Sequence, residues 1–291
     1  MSISRRAFLA MGQAALLPFA LGSCSIRKSS KGNPALTFGI ITDLHYADRD
    51  PWNTRWYRDS VAKLKECISV MNENPPAFLI ELGDFIDKAD KETETGYLRT
   101  INGVFAKLRG RRYYVLGNHD TATFSKQEFL DLAGAKENYY YFDNGDYRFI
   151  VLDGNFKRDG SDYNAGNFDW RETYIPISQQ EWLAAALKDT RDRRAIVLIH
   201  QNLDDETNDH GVKNAPEVRR ILESAGNVVA VFQGHDHSGG FHTVNGIPYF
   251  TLRAAVEGPG LENNAFALMT VKKGRIEVRG FGKQKSYDVK I

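Results

Sequence analysis

Short apolar runs alternate with longer amphipathic ones along most of this 291-residue chain. Few folds accept that alternation other than strands and helices stacked in α/β layers. Residues 35–42 (ALTFGIIT), 77–82 (AFLIEL), 112–116 (RYYVL), 148–152 (RFIVL), 194–199 (RAIVLI) and 227–232 (NVVAVF) read as strands. Between them, residues 55–71, 95–108, 126–132, 178–187 and 215–224 carry helical spacing, with Ser178 a candidate N-cap. From Gly239 the pattern changes to short strands split by turns, including Asn245-Gly246 and Lys273-Gly274, which predicts an antiparallel block at the end of the chain. The segment 154–174 lacks periodicity, is rich in glycine and aromatic residues, and is long for a connection, a combination frequent in functional loops.

The first residues read as an address. Arg5 and Arg6 precede a mildly apolar run that is too short to span a bilayer, and the run closes on Leu21-Gly22-Ser23-Cys24. The closing tetrapeptide resembles a bacterial lipoprotein cleavage site, and the paired arginines before Phe8-Leu9 resemble a twin-arginine export signal. The expected organisation is a signal segment at 1–23, an acylated Cys24 with a Ser/Lys/Gly-rich tether through 34, and a folded domain at 35–291. An exported, membrane-anchored lipoprotein, periplasmic or on the cell surface, is therefore expected. Only Cys67 then remains, so an internal disulfide is excluded, and its helical surroundings make it a small buried apolar residue.

Composition is that of an ordinary globular protein, with 42% apolar and 26% charged residues. Thirty-eight basic residues against 37 acidic ones give +1, and loss of 1–23 removes two arginines and no acid, bringing the charge to −1. No basic field supports a nucleic-acid partner.

The chemistry-bearing residues fall just beyond the predicted strand ends. Asp43 and His45 follow the first strand, Asp84 and Asp87 the second, Asn118 and His119 the third, His200 the fifth, and His235 and His237 the sixth. Strand C-termini of an open α/β sheet converge on one rim, which collects residues scattered along the chain. Oxygen and imidazole donors without thiolate suit two divalent ions such as Mn, Fe or Zn, with Asp84 the natural bridge. Two such ions about 3.5 to 4 Å apart acidify a shared water and hold the attacking and leaving oxygens of a displacement at phosphorus. His119 is not needed as a ligand and is the candidate general acid or donor to a phosphoryl oxygen, oriented by Asp87 or Asp120. Tyr46, Trp52, Trp56 and Phe156 are candidates to stack on a nucleobase, and Asn155, Lys157 and Arg158 to contact a phosphate or ribose, with core packing and a solvated loop as the plainer alternatives.

The set Asp43-Leu44-His45, Gly83-Asp84-Phe85-Ile86-Asp87, Gly117-Asn118-His119-Asp120, His200 and Gly234-His235-Asp236-His237 resembles the calcineurin-like metallophosphoesterase superfamily motif for motif. The resemblance covers roughly 38–271 and implies a four-layer αββα sandwich, two mixed sheets flanked by helices. It implies one ion on Asp43, His45, Asp84 and His237, another on Asp84, Asn118, His200 and His235, and His119 as the acid with Asp87 as its partner. Trp56-Tyr57-Arg58-Asp59-Ser60, residues 148–153 and Ser178-Gln179-Gln180-Glu181-Trp182-Leu183 are similar to the manganese-dependent ADP-ribose/CDP-alcohol diphosphatase branch. One departure bears on substrate and metal: that branch tends to carry glutamine where this chain has His45.

A hydrolase of small phosphate esters or nucleotide diphosphate linkages is the expected function. A noncatalytic metal-stabilised module would be expected to have lost ligands or the acid histidine, and every one is present. A nuclease on the same scaffold is disfavoured by the near-neutral charge.

Overall fold

The computed structural model describes residues 35–190 and 192–291. The expected signal segment, Cys24 and tether lie outside the described residues. Among the described residues, no helix is long and apolar enough to cross a membrane.

In chain order the elements are β1 (Leu36–Ile41), α1 (Ser60–Glu73), β2 (Phe78–Glu81), α2 (Lys91–Phe105), β3 (Arg111–Tyr114), α3 (Lys126–Ala133), β4 (Tyr140–Asn144) and β5 (Tyr147–Val151). There follow α4 (Ile177–Lys188), β6 (Arg194–Leu198), α5 (Ala215–Ala225), β7 (Val228–Gln233), β8 (Gly240–Val244), β9 (Ile247–Thr251), β10 (Ala265–Lys272), β11 (Arg275–Gly282) and β12 (Tyr287–Lys290).

The strands form two six-stranded mixed sheets, ordered β12-β11-β10-β1-β2-β3 and β4-β5-β6-β7-β9-β8. In the first, β1, β2 and β3 run parallel, with Ile40 opposite Ile80 and Ile80 opposite Tyr113. In the second, β5, β6, β7 and β9 run parallel, with Val197 opposite both Ile150 and Val231.

Strand alternation explains the layers. Phe38, Ile40, Phe78 and Ile80 of the first sheet meet Phe149, Val151, Ile196, Leu198 and Phe232 of the second in a core between the sheets. Ile41 and Leu79 face the other way, onto α1, α2 and α3 through Leu64, Met71, Leu98 and Phe129. Ile150, Val197 and Val231 turn outward onto Leu183, Val218 and Leu222 of α4 and α5. The result is the αββα sandwich of two mixed sheets flanked by helices. Burying a side chain such as Phe38 contributes about 1.5 to 3 kcal/mol. Cys67 is fully buried in the outer core of the first sheet.

Several boundaries differ from the sequence reading for identifiable reasons. Helix α1 begins at Ser60 and not near Arg55, because Arg55 pairs with both Trp52 and Glu257 and Trp56 N–H donates to Val256 O at 2.9 Å. Helix α2 starts at Lys91 because the Asp90 side chain accepts from Thr93 N–H. Ser178 lies inside α4, whose N-cap is Pro176. The C-terminal strands do not form one block: β8 and β9 close the second sheet, with β9 parallel to β7, while β10 to β12 extend the first. Strands β4 and β12 were not anticipated.

Candidate metal centre

The parallel strands of both sheets end at one place. Past β1 and β2 the ladder continues through Asp43 N–H to Gly83 O at 2.9 Å and His45 N–H to Asp84 O at 2.8 Å. Past β6, the His200 ring reaches across to the first sheet, Nδ1 donating to Leu82 O at 2.9 Å. Three strands of one sheet and two of the other therefore supply the site, where the sequence suggested a single rim.

The backbone here is strained in a consistent way. Asp43, His45, Asp84 and His235 all have positive φ, between 42° and 66°. That region costs a non-glycine residue about 1 to 2 kcal/mol and persists where surrounding bonds over-determine it. Asp120 supplies several of those bonds: its buried carboxylate accepts from Gly117, Asp84, Phe85 and Ile86 N–H at 2.9 to 3.4 Å. Two glycines permit the convergence. A Cβ at Gly117 would stand 2.1 Å from Asp84 Oδ1, and one at Gly83, whose φ is +101°, would stand 2.5 Å from His200 Nδ1.

Several ligand atoms then face one another with no hydrogen-bond partner, although His45 Nε2 and His237 Nε2 lie within hydrogen-bond distance at 3.2 Å. Asp43 Oδ2 accepts from Thr42 Oγ1 at 2.7 Å and from His235 N–H at 3.2 Å, while Oδ1 has no hydrogen-bond partner. That oxygen lies 3.5 Å from His237 Nε2 and 3.8 Å from His45 Nε2. Asp84 Oδ1 accepts from His119 N–H at 2.8 Å, and its Oδ2 sits 3.4 Å from His45 Nε2 and 3.2 Å from His200 Nε2. Asn118 Oδ1, His200 Nε2 and His235 Nε2 are buried and equally unpartnered.

A buried polar atom left unpaired costs about 1 to 3 kcal/mol, so several together require a common partner. Cations satisfy all of them. Ligand atoms fall within 4.8 Å of one another in Asp43/His45/His237, in His45/Asp84/His119 and in Asp84/His200/His235. The chain thus presents oxygen and imidazole cradles that fit two divalent ions.

Charge follows the same logic. Burial works to raise Asp43 and Asp84, yet the surrounding histidines hold both below the usual carboxylate range. Burial works to lower His200 and His237, but Asp84 and Asp43 lift His200 to about 9, and Asp43 and Glu257 lift His237 to about 9. Burial and the neighbouring Asp84 push Asp120 up to about 7. The carboxylates thus set up a negative field around Asp84 that raises His200 and His237, whereas burial, with His119 and His200 nearby, lowers His45 and His235.

His119 stands at the edge, a quarter exposed, with Nδ1 3.1 Å from Asp87 Oδ1. Of its two expected orienting partners, Asp87 touches it, whereas Asp120 is committed to backbone. Burial disfavours the His119 imidazolium, but Asp84 and Asp87 raise it overall. Asp87 Oδ2 is held by Arg49 at 2.9 Å and lies 3.6 Å from Arg55.

A cleft of about 300 Å³ opens over these residues, with Trp52, Arg55, Trp170 and His210 among its lining. Of the stacking candidates, Trp52 is 63% exposed and lines this cleft. Tyr46 instead packs on Tyr97, Trp56 lines a separate depression with Pro51, and Phe156 is buried beneath the Lys126 ammonium at 3.3 Å. Asn155 is fully buried, its amide donating to Leu116 O and to Asp153. Lys157 and Arg158 are not among the cleft residues.

The segment 154–174 is well anchored. Tyr163 stacks on Phe168 at 3.8 Å, Lys126 ties Asp153 to Asp162, and Gly166 N–H donates to Thr121 O beside His119. It delivers Trp170 to within 5.5 Å of the rings of His235 and His210. Trp170, His210, Arg49, Arg55 and Glu257 escaped the sequence reading; only Trp170 had a signal, the unexplained aromatic content of its segment.

A family model described as calcineurin-like phosphoesterase matches residues 36–239. The chain is 27% identical to the manganese-dependent ADP-ribose/CDP-alcohol diphosphatase of Xenopus tropicalis, over 86% of this chain and 92% of the relative. It is 25% identical to the enzyme of the same name from Arabidopsis thaliana, over 89% and 98%. A dimetal phosphatase from Danio rerio superposes with a TM-score of 0.78 at 22% identity, covering 89% of this chain and 99% of that one, a likeness of fold.

Proposed function

Since the chain belongs to the calcineurin-like phosphoesterase family, we propose that it is a two-metal phosphohydrolase acting on small phosphate esters, with nucleotide diphosphate linkages the favoured class. The observation that carries this is the convergence of unpartnered donor atoms on Asp43, Asn118, His200 and His235 beside Asp84, with the His119–Asp87 pair at the edge. Asp43, His45, Asp84 and His237 would hold one ion, and Asp84, Asn118, His200 and His235 the other. Such ions, when bound, acidify water and neutralise phosphoryl oxygens. His119, oriented through Nδ1 by Asp87, holds its Nε2 proton for the departing oxygen or for a phosphoryl oxygen. Arg49 fixes Asp87 and so keeps that imidazole in place.

The relatives' names and the cleft both favour a nucleotide substrate. Trp52 and Trp170, both partly exposed, offer flat apolar faces at the cleft, and Arg55 offers a cation. Arg5-Arg6 and the Cys24 tetrapeptide support an exported, lipid-anchored enzyme. Membrane fractionation of wild type against Cys24→Ser tests that part, and equal partition of both would end it. For the activity, metal-reconstituted protein should hydrolyse at least one of an aryl phosphate, a bis-aryl phosphate, ADP-ribose and a CDP-alcohol in Mn. Two bound ions with no turnover on any of them would dismiss the reading.

A further inference from the structure

The imidazoles that face the two ion cradles are backed differently. His237 Nδ1 lies 2.6 Å from Glu257 Oε1, so the ring donates there and turns Nε2, its ligand atom, toward Asp43 Oδ1 and His45 Nε2, at 3.5 and 3.2 Å. His200 donates its Nδ1 proton to a neutral acceptor, Leu82 O. A carboxylate behind an imidazole fixes its tautomer, strengthens it as a donor and adds a negative charge near the ion; a peptide carbonyl supplies only the first of these in full.

Glu257 is held from both sides. The buried Lys63 ammonium donates to Ala255 O at 2.7 Å, Glu257 O at 3.1 Å and Gly258 O at 2.7 Å. Val256 N–H donates to Asp43 O at 3.0 Å, and Gly258 N–H to Thr54 O at 2.8 Å. These bonds fix the backbone that carries the carboxylate, and the side chain is only 12% exposed. Asp87 does not act on His45 in the same way, because it stands 3.6 Å from the ring and its charge is taken up by Arg49 at 2.9 Å.

We propose that Glu257 is a positioning residue that makes the two ion sites unequal, so that the site of Asp43, His45 and His237 fills first. This rests on the metal-centre reading above. The substitution Glu257→Gln keeps an oxygen able to accept from Nδ1 and removes the charge.

The test is calorimetric titration of the chelator-stripped full chain with Mn, paralleled by Co titration followed in the visible. Wild type should show two unequal steps. In Glu257→Gln the tighter step should weaken about ten- to a hundredfold, the usual effect of losing an outer partner of a ligand, with the second step unchanged. The first-filling Co band should shift with it, and the stripped variant should remain folded, its melting temperature lowered by no more than loss of the Glu257–His237 ion pair entails. Should Glu257→Gln fold poorly, Glu257→Asp, which keeps the charge but withdraws it from Nδ1, should weaken the same step. Superimposable isotherms for wild type and a folded variant, or loss confined to the weaker step, would overturn the proposal while leaving the metal centre intact. A wild-type chain that binds no ions would overturn both.

Discussion

Gly117 is the position where one added methyl group has the most legible consequence. A Cβ there would lie 2.1 Å from Asp84 Oδ1 and 2.2 Å from Asp84 N. Real Cβ contacts essentially never fall under 3.0 Å, so Asp84 must move by roughly 0.9 Å. The nitrogen is the harder obstacle, because Asp84 N–H is held by Asp120 Oδ2 at 3.1 Å and its carbonyl by His45 N–H. Overpacking of this kind costs about 1 to 3 kcal/mol, and a displacement near 1 Å in a reacting centre costs about a hundredfold in rate. Gly117→Ala should therefore lower kcat/KM about a hundredfold and weaken Mn binding, both read against metal content. Gly103→Ala, where a Cβ meets nothing within 4 Å on helix α2, is the control and should be neutral or slightly stabilising. Should Gly117→Ala keep both ions and kcat/KM within a factor of about three, the close-approach argument is wrong.

His119→Ala should keep both ions, because the bond to Asp84 Oδ1 comes from the backbone N–H, and should slow turnover about 10²- to 10⁴-fold on substrates with poor leaving groups; loss of metal in this variant would contradict the assignment. Asp120→Asn turns an amide NH₂ toward backbone N–H donors, so chemical denaturation should show about 1 to 3 kcal/mol of lost stability, and an unchanged midpoint would refute it. Metal-free protein should lose stability as pH rises from about 7 toward 9, because His200 and His237, raised to about 9 in the fold, keep protons that the unfolded chain has released. Each contributes stability that is fully present below about 6.5 and is lost at up to about 1.4 kcal/mol per pH unit as pH rises toward 9, while His45 and His235, pushed the other way, are neutral in the fold and oppose that fall only near 6.5, where the unfolded chain still holds part of their protons. Thermal melts of chelated protein should fall across this interval and those with Mn should not; a flat apo profile would refute the field described around Asp84.

The site was legible in the sequence because each piece is local: a glycine or an apolar run, then Asp84, Asn118-His119, His200 or His235 at a strand end. Strand ends are where α/β layers collect polar groups, so order along the chain was enough to propose proximity. The sequence order did not reveal that the ends belong to two sheets, since a helix follows a parallel strand in either sheet. Glu257 was hidden because it lies between β9 and β10, and its carboxylate reaches His237 only because backbone bonds of its segment to Lys63, Thr54 and Asp43 place it there. Strand β4 alternates half-buried and exposed residues, yet Asn144-Gly145 is the same turn signal read correctly at Asn245-Gly246. Phe156 and Asn155, candidates for ligand contact, are buried and anchor their own segment, Phe156 as the core-packing alternative expects and Asn155 against the expectation of a solvated loop.

Anomalous diffraction from a Mn-soaked crystal tests the central claim most directly. Two peaks about 3.5 to 4 Å apart should appear, one beside Asp43, His45 and His237, the other beside Asn118, His200 and His235, with Asp84 between them. A single peak, or two that do not share Asp84, would contradict the account.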